Sequence, residues 1–276
     1  MEFLNLLCYN SKKYDIQILP MKKVFYINDK LRNLLSNIIY DIQNYNSTII
    51  KYTENISNDN GSLDYIKENK ESILRQSFLI DRAMKVFYDF NDINSNNLVL
   101  NKTNENINEI VNDIANDFSD LFLSKRIKIE FLEEENEKNY MAFLDKNRII
   151  NSISNVFLFI YNMAKVNSFI NISYNSIDYN EEEFLFNNGF KNNLINNNLL
   201  IKIVFESQKI PEEVELKLFK TPLLNYNNDN FNNLYLYTSY NIIVKHSGDI
   251  WIDNIENGNK KKINIVLPSS RSWIYE

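Results

Sequence analysis

Few residues in this sequence are of types that do chemistry unaided. Cys8 is the single cysteine and His246 the single histidine. That excludes an internal disulfide framework, a multi-cysteine zinc site and His-rich metal centres. A lone imidazole with no orienting partner makes no acid–base site, so His246 reads as a structural residue at a helix end. Glycine occurs only at Gly61, Gly189, Gly248 and Gly258, far below the average usage of about 7%. No Gly-rich phosphate loop can therefore be written. What remains is polar: Asn151, Asn155 and Asn162 share one helix face and could present amides to a ligand. Asparagine is so frequent, in tracts such as Asn187-Asn188 and Asn196-Asn197-Asn198, that one residue of this type carries little weight.

Composition sets the frame in which these residues must be positioned. The chain has 276 residues, 44% apolar and 13% aromatic, enough for one large domain or two ordinary ones with real cores. Lys plus Arg total 30 against 36 Asp plus Glu, a formal net charge of −6. No global basic field attracts nucleic acid or anionic lipid. No apolar run approaches the roughly 20 residues that span a bilayer, and the start MEFLNLLCYN lacks a cationic leader. The expectation is a cytoplasmic protein with no membrane span and no nucleic-acid partner.

The elements divide the chain in two. Leu31, Leu35, Ile38, Ile42, Tyr45, Ile49, Tyr52 and Ile56 follow a strict 4,3 spacing, which predicts a long coiled-coil-like helix. The turn-forming segment Ser57–Leu63 ends it. A second seam at Leu79, Ala83, Val86, Phe90 and Ile93 predicts another long helix over about 64–94. This αα-hairpin has too wide an apolar surface to stand alone, and two copies pairing into a four-helix bundle would bury it. A homodimer is expected.

After the polar linker at Asn94–Asn97 the pattern becomes mixed. Helices are expected over 105–123, Lys146–Lys165 with Asp145 as N-cap, and about 234–246. Strands are expected at Arg126–Leu132, Tyr140–Leu144, Phe169–Tyr174, Glu182–Phe186, Leu199–Glu206, Asp249–Asp253 and Lys262–Leu267. The acidic run Glu133–Glu137 reads as a solvated loop. The result is one mixed sheet covered by helices on one face. The division is 1–30, a segment of unassigned role with a strand expected at Asp15–Leu19; 31–95, the hairpin; and 100–276, the α+β domain.

Four blocks between Leu31 and Pro268 resemble the transmitter module of a sensor histidine kinase, a dimerising hairpin followed by an ATP-binding domain of the gyrase, Hsp90, histidine-kinase and MutL superfamily. The first is LLSNIIYDIQNYNSTIIKY, Leu34–Tyr52, similar to the phosphoacceptor stretch F-L-A-N-x-S-H-E-L-R-T-P-L-T-x-I-I-G-Y. In that register Tyr40 replaces the phosphoacceptor His. A phenol offers no nitrogen to take a γ-phosphoryl group and pass it to a carboxylate. Asp41 and Asn44 keep the family's acidic-x-x-Thr/Asn signature, in which the amide orients water for in-line attack on an aspartyl phosphate.

The second block, from Asp145-Lys-Asn-Arg148, resembles the N-box D-x-x-R-L-x-Q-V-L-x-N-L-L-x-N-A-x-K. The ungapped register puts the first Asn at Asn155 and the second, the Mg²⁺ ligand, at Phe159. A three-residue shift would put Asn162-Met-Ala-Lys165 on the N-A-x-K end. Mg²⁺ demands oxygen ligands in near-ideal octahedral geometry, and Phe offers none.

The third block, IKIVFESQKIPEEVELKLF at Ile201–Phe219, is similar to V-x-D-x-G-x-G-I-P-x-E. The adenine-binding Asp falls on Phe205, or on Glu206 with a one-residue gap, and Ser207 and Lys209 replace the glycines. The fourth, NLYLYTSYNIIVKHSGDIWID at Asn233–Asp253 with KINIVLP at Lys262–Pro268, resembles G-L-G-L-x-I-x-x-x-I-V-x-x-H-G-G-x-I-W-V-x-S and F-x-I-x-L-P. Asn233 and Tyr235 replace the phosphate-lid glycines, whose backbone N–H groups cradle the phosphates.

The resemblance implies a fold of class α plus α+β: a helical hairpin forming a dimeric four-helix bundle, then a two-layer α/β sandwich of the histidine-kinase ATPase type. Apolar positions that set the fold persist, while the phosphoacceptor and nucleotide residues are replaced. The expected function is a catalytically impaired member of a two-component pathway that binds a response regulator receiver domain or a sensor histidine kinase without autophosphorylation. A phosphatase of a phosphorylated response regulator, using Asp41 and Asn44, is the alternative. No metal and no cofactor are expected, ATP and Mg²⁺ binding being lost through a degenerate site at Asn155, Asn162 and Glu206.

Overall fold

A computed structural model describes residues 21–58, 63–132, 140–177, 198–207, 210, 212–215, 217–226 and 229–269. The expected strands at Asp15–Leu19 and Glu182–Phe186 lie outside them. Helix α1 spans Met21–Asn58 and α2 spans Leu63–Asn94, so the first helix begins well before Leu31. The two helices pair as a hairpin. Ala83, Val86 and Phe90 of the second seam are buried with Ile38 of the first, and Leu234 from far along the chain completes the cluster. The hairpin therefore turns part of its seam onto the following domain. Ile39, Ile50, Leu63, Leu74, Met84 and Tyr88 remain exposed on the single chain.

The second part opens with β1 (Thr103–Asn106), which pairs antiparallel with β3 (Met141–Leu144). Asn106 then caps α3 (Ile107–Leu123), its side chain accepting from the Asn108 N–H. The remaining elements are β2 (Lys128–Phe131), α4 (Lys146–Met163), β4 (Phe169–Ile177), β5 (Asn198–Glu206), the short α5 (Glu212–Glu215), β6 (Leu223–Tyr226), β7 (Asp229–Asn232), α6 (Leu234–Lys245), β8 (Asp249–Ile255) and β9 (Lys260–Pro268).

Five strands form one mixed sheet in the order β2-β4-β5-β9-β8. Only β2 and β4 run parallel, and the other neighbours are antiparallel. Period-two alternation sends Ile170, Ile172, Ile201, Ile203, Phe205, Ile263 and Ile265 into a core shared with α3, α4 and α6. Phe118, Phe122 and Phe157 fill its centre with edge-on and tilted ring contacts. The expected mixed sheet with helices over one face is thus present.

At the end of α6 the chain reverses in a Schellman turn: Gly248 N–H donates to the Ile243 carbonyl and Ser247 N–H to that of Val244. Ser247 adopts a φ of 64° in the left-handed slot usually taken by glycine. Gly248 is required by space, because a Cβ there would stand 2.2 Å from the Val266 carbonyl oxygen.

Candidate functional site

On α1, Tyr40 and Asn44 are one helical turn apart and both face solvent, Tyr40 at 63% exposure. The Asn44 backbone carbonyl accepts from Thr48 Oγ1 at 2.9 Å, leaving its amide side chain on the exposed face. Asp41 is rotated away from them and half-buried. It lies beside a group of tyrosines at the seam between hairpin and sheet domain. Burial pushes the Tyr45 phenol up to about 12, with Asp41 and Tyr161 adding to the effect. Burial also raises Tyr235, and Tyr45 and Asp41 reinforce it. Each phenol is thereby held neutral.

Tyr235, in the first turn of α6, packs against both the domain core and the hairpin cluster. Just before it, Asn233 is buried and its side-chain amide donates to the carbonyls of Leu218 and, at 2.7 Å, Thr221. This ties the start of α6 to the loop after α5. Helices α4 and α6 are joined by polar pairs. Asn155 Nδ2 donates to Thr238 Oγ1 at 3.2 Å, and Ser152 and Ser239 each donate to the other's backbone carbonyl at 3.2 and 2.9 Å. Phe159, one turn beyond Asn155, is buried.

At the far end of β5, Phe205 and Lys261 are directly paired across strands on the helix-covered face. Lys261 is fully buried and forms an ion pair with Glu215 of α5, which also accepts from Asn254. Glu206, the next residue on β5, points to the opposite face. There it lines a notch of about 320 Å³ with Glu130, Phe169, Asn171, Val204, Phe205 and Lys260. Asn162 is exposed on the last turn of α4. Asn155, Asn162 and Glu206 are therefore in three separate places: the helix interface, the helix end and the open sheet face.

His246 is buried at the C-cap of α6. Its Nε2 accepts from the Asp145 N–H at 3.0 Å, so Nδ1 carries the proton and donates to the Ile242 carbonyl at 2.8 Å. Burial lowers its pKa and keeps it neutral. Among the described residues no group of three or more His, Cys, Asp or Glu could hold a metal ion, and no helix is long and apolar enough to cross a membrane.

No protein-family model and no curated protein matches the sequence. Solved structures do. The histidine kinase AdeS of Acinetobacter baumannii is 18% identical, with a TM-score of 0.53 over 86% of this chain and 97% of AdeS. The histidine kinase ThkA in complex with the response regulator TrrA is 17% identical, with a TM-score of 0.50 over 93% of this chain and 68% of that one. Full-length ShkA in complex with AMPPNP is 11% identical, with a TM-score of 0.53 over 86% of this chain and 46% of its own. The fold is that of a sensor histidine kinase transmitter module. At these identities the likeness is one of fold.

In the transmitter fold α1 and α2 are the hairpin and β1 to β9 with their helices are the ATPase-type domain. The positions carried over from the resemblance are accordingly structural addresses. Tyr40, which the resemblance aligns with the phosphoacceptor, is exposed, and of the two residues it aligns with the adenine-binding Asp, Phe205 lies on the helix-covered face and Glu206 on the open one. Sequence reasoning did not identify three features of this site. Lys261 lies just before the expected strand Lys262–Leu267, although it is in phase with Ile263, Ile265 and Leu267 and so belongs to the core face. In the sequence Tyr45 is only a hairpin seam residue and Arg148 only part of the N-box pattern. No local signal shows that both reach across the domain boundary.

Proposed function

We propose that this protein is a catalytically impaired histidine-kinase-like component of a two-component pathway, a homodimer through its hairpin that binds a response regulator receiver domain without autophosphorylation. The observation that carries this reading is the occupancy of the base-binding position. Phe205 stands there beside the buried Lys261–Glu215 pair, where the fold would otherwise place an acceptor for an adenine amino group. Asn155 is engaged by Thr238, and Phe159 offers no oxygen to Mg²⁺. Tyr40, with no ring nitrogen, occupies the phosphoacceptor position. Exposed apolar residues on the hairpin, Ile39, Ile50, Leu74 and Met84, support burial against a second copy. The ThkA complex with TrrA supports a receiver domain as the class of partner. A sensor kinase paired through a mixed hairpin is the other partner this surface suits.

The test is twofold. Millimolar Mg-ATP should leave the Tm unchanged, since a ligand that binds only the native state raises it, and labelled γ-phosphate should not enter the protein. A receiver domain should bind the full chain and lose affinity when Tyr40 and Asn44 are replaced by charged residues. Phosphate incorporation, or indifference of receiver binding to those changes, would overturn the reading. A second reading, phosphatase action on a phosphorylated response regulator, is favoured by the exposed Asn44 amide one turn from Tyr40. It requires that Asn44→Ala abolish dephosphorylation while binding survives; unchanged turnover removes it.

A further inference from the structure

The contact between the hairpin and the ATPase-type domain has an apolar part: Ile38, Ala83, Val86 and Phe90 cluster with Leu234, and Ile42, Tyr235 and Tyr237 pack against them. Apolar contact is non-directional and by itself would let the domain slide on the hairpin. Beside it lies a polar knot. Arg148, in the first turn of α4, bonds through Nη1 to Asp89 and through Nη2 to Asp92 at 2.6 Å, both on α2. Asn151 Nδ2 adds a bond to Asp89 at 3.2 Å. The Asp89 side chain is 2% exposed. Arg148 is itself held, because its N–H donates to the N-cap Asp145, whose other carboxylate oxygen accepts from linker residue Asn101 at 2.8 Å. Asp145 in turn donates to His246. The end of the hairpin, the linker and the adjoining ends of α4 and α6 thus meet in one hydrogen-bonded cluster.

We propose that Arg148 is the latch that fixes the orientation of the ATPase-type domain on the hairpin, so that docking over Ile38, Ile42 and Phe90 depends on it. A guanidinium bridging two carboxylates on successive turns of α2 is satisfied in one register only. Any slide leaves Asp89 buried and unpaired, a penalty far larger than the small net gain of forming such a pair. The latch selects an orientation more than it adds stability. Burial pushes the Asp89 carboxyl upward and Arg148 opposes this, in line with a charge that tolerates burial only while paired. The domain's position is thereby set by the chain's own side chains, and this goes beyond the partner proposed above.

The test is an inter-label distance in the full chain. Spin labels at Gln43→Cys on α1 and Asn112→Cys on α3, both exposed, are introduced with Cys8→Ser and diluted with unlabelled protein so that each distance lies within one protomer. The parent should give one narrow distance. Arg148→Met should widen the distribution at least twofold, and Arg148→Lys, which keeps the charge and loses the bridge, should fall between. Asp92→Asn lies on the hairpin outside the domain core and should also widen it. Unchanged width in Asp92→Asn overturns the latch even if Arg148→Met fails to fold. No receiver domain enters the measurement, so it fails or succeeds independently of partner binding.

Discussion

The Lys261–Glu215 pair gives the sharpest quantitative test of how the region around Phe205 is filled. Lys261 is completely buried on the core face of β9 and Glu215 is 9% exposed. Neither charge can be fully rehydrated in place. Removing the carboxylate by Glu215→Ala leaves a buried ammonium beside Phe205, and breaking one partner of such a pair costs about 3–5 kcal/mol. For a chain of this size that corresponds to a drop in Tm on the order of 10 °C. Lys261→Met should cost much less, because the thioether fills similar volume and the remaining Glu215 keeps its bond from exposed Asn254 and turns toward solvent. The double change Lys261→Met with Glu215→Leu should be neutral, or stabilising by about 1–4 kcal/mol. Urea unfolding of the parent, Glu215→Leu, Lys261→Met and the double variant closes a double-mutant cycle and isolates the coupling. A Glu215→Ala midpoint within error of the parent would refute the reasoning. It would mean that the ammonium reaches water and that this region is open.

Further outcomes can be measured on the same protein. Because the folded-state pKa of His246 is lowered, the native state stays neutral while the unfolded chain takes up a proton, so this residue's contribution to stability is present above the ordinary value of 6.5 and is lost as pH falls below it. The difference in urea midpoint between the parent and His246→Gln should accordingly shrink from pH 7.5 to pH 5.5, and a constant difference would exclude His246 as its source. Ser247→Gly should stabilise by about 1 kcal/mol by relieving the left-handed φ, read as a higher urea midpoint. Gly248→Ala should destabilise by several kcal/mol, on the order of the largest single-residue effects, since the new Cβ meets backbone that cannot retreat; a neutral result would show that β9 shifts freely.

Much of the architecture was legible because it is written in periodicity. The seam Ala83, Val86, Phe90 is buried as its spacing requires, and β5 and β9 alternate as their sequences do. β1 was not legible: its sequence TNEN has no apolar face, and it forms by pairing with β3 rather than by burying side chains. The pair β6 and β7 was hidden in an Asn-rich stretch that reads as loop. The early start of α1 at Met21 escaped a strict 4,3 template. For the site, the sequence left Phe205 and Glu206 as alternatives, and the structure turns Phe205 inward and Glu206 outward. The bonds of Arg148 to Asp89 and Asp92, and the packing of Tyr235 against both the domain core and the hairpin cluster, join residues far apart in the chain, and no local pattern encodes them.

On the proposed reading, the positions Phe205, Asn233 and Tyr235, where the resemblance expects nucleotide chemistry, are held by residues that make contacts of their own. Asn233 donates to the backbone of the preceding loop and Tyr235 packs against both cores. Phe205 lies in the core beside the Lys261–Glu215 pair. These residues fill the region with buried side chains and the bonds donated by the Asn233 amide, which stabilise the domain without a ligand. Tyr40 and Asn44 stand together on the exposed hairpin. A domain closed around its own side chains and a hairpin that keeps its surface free are what a docking protein needs, whereas a kinase needs the reverse: an open cleft and a nucleophile within its reach.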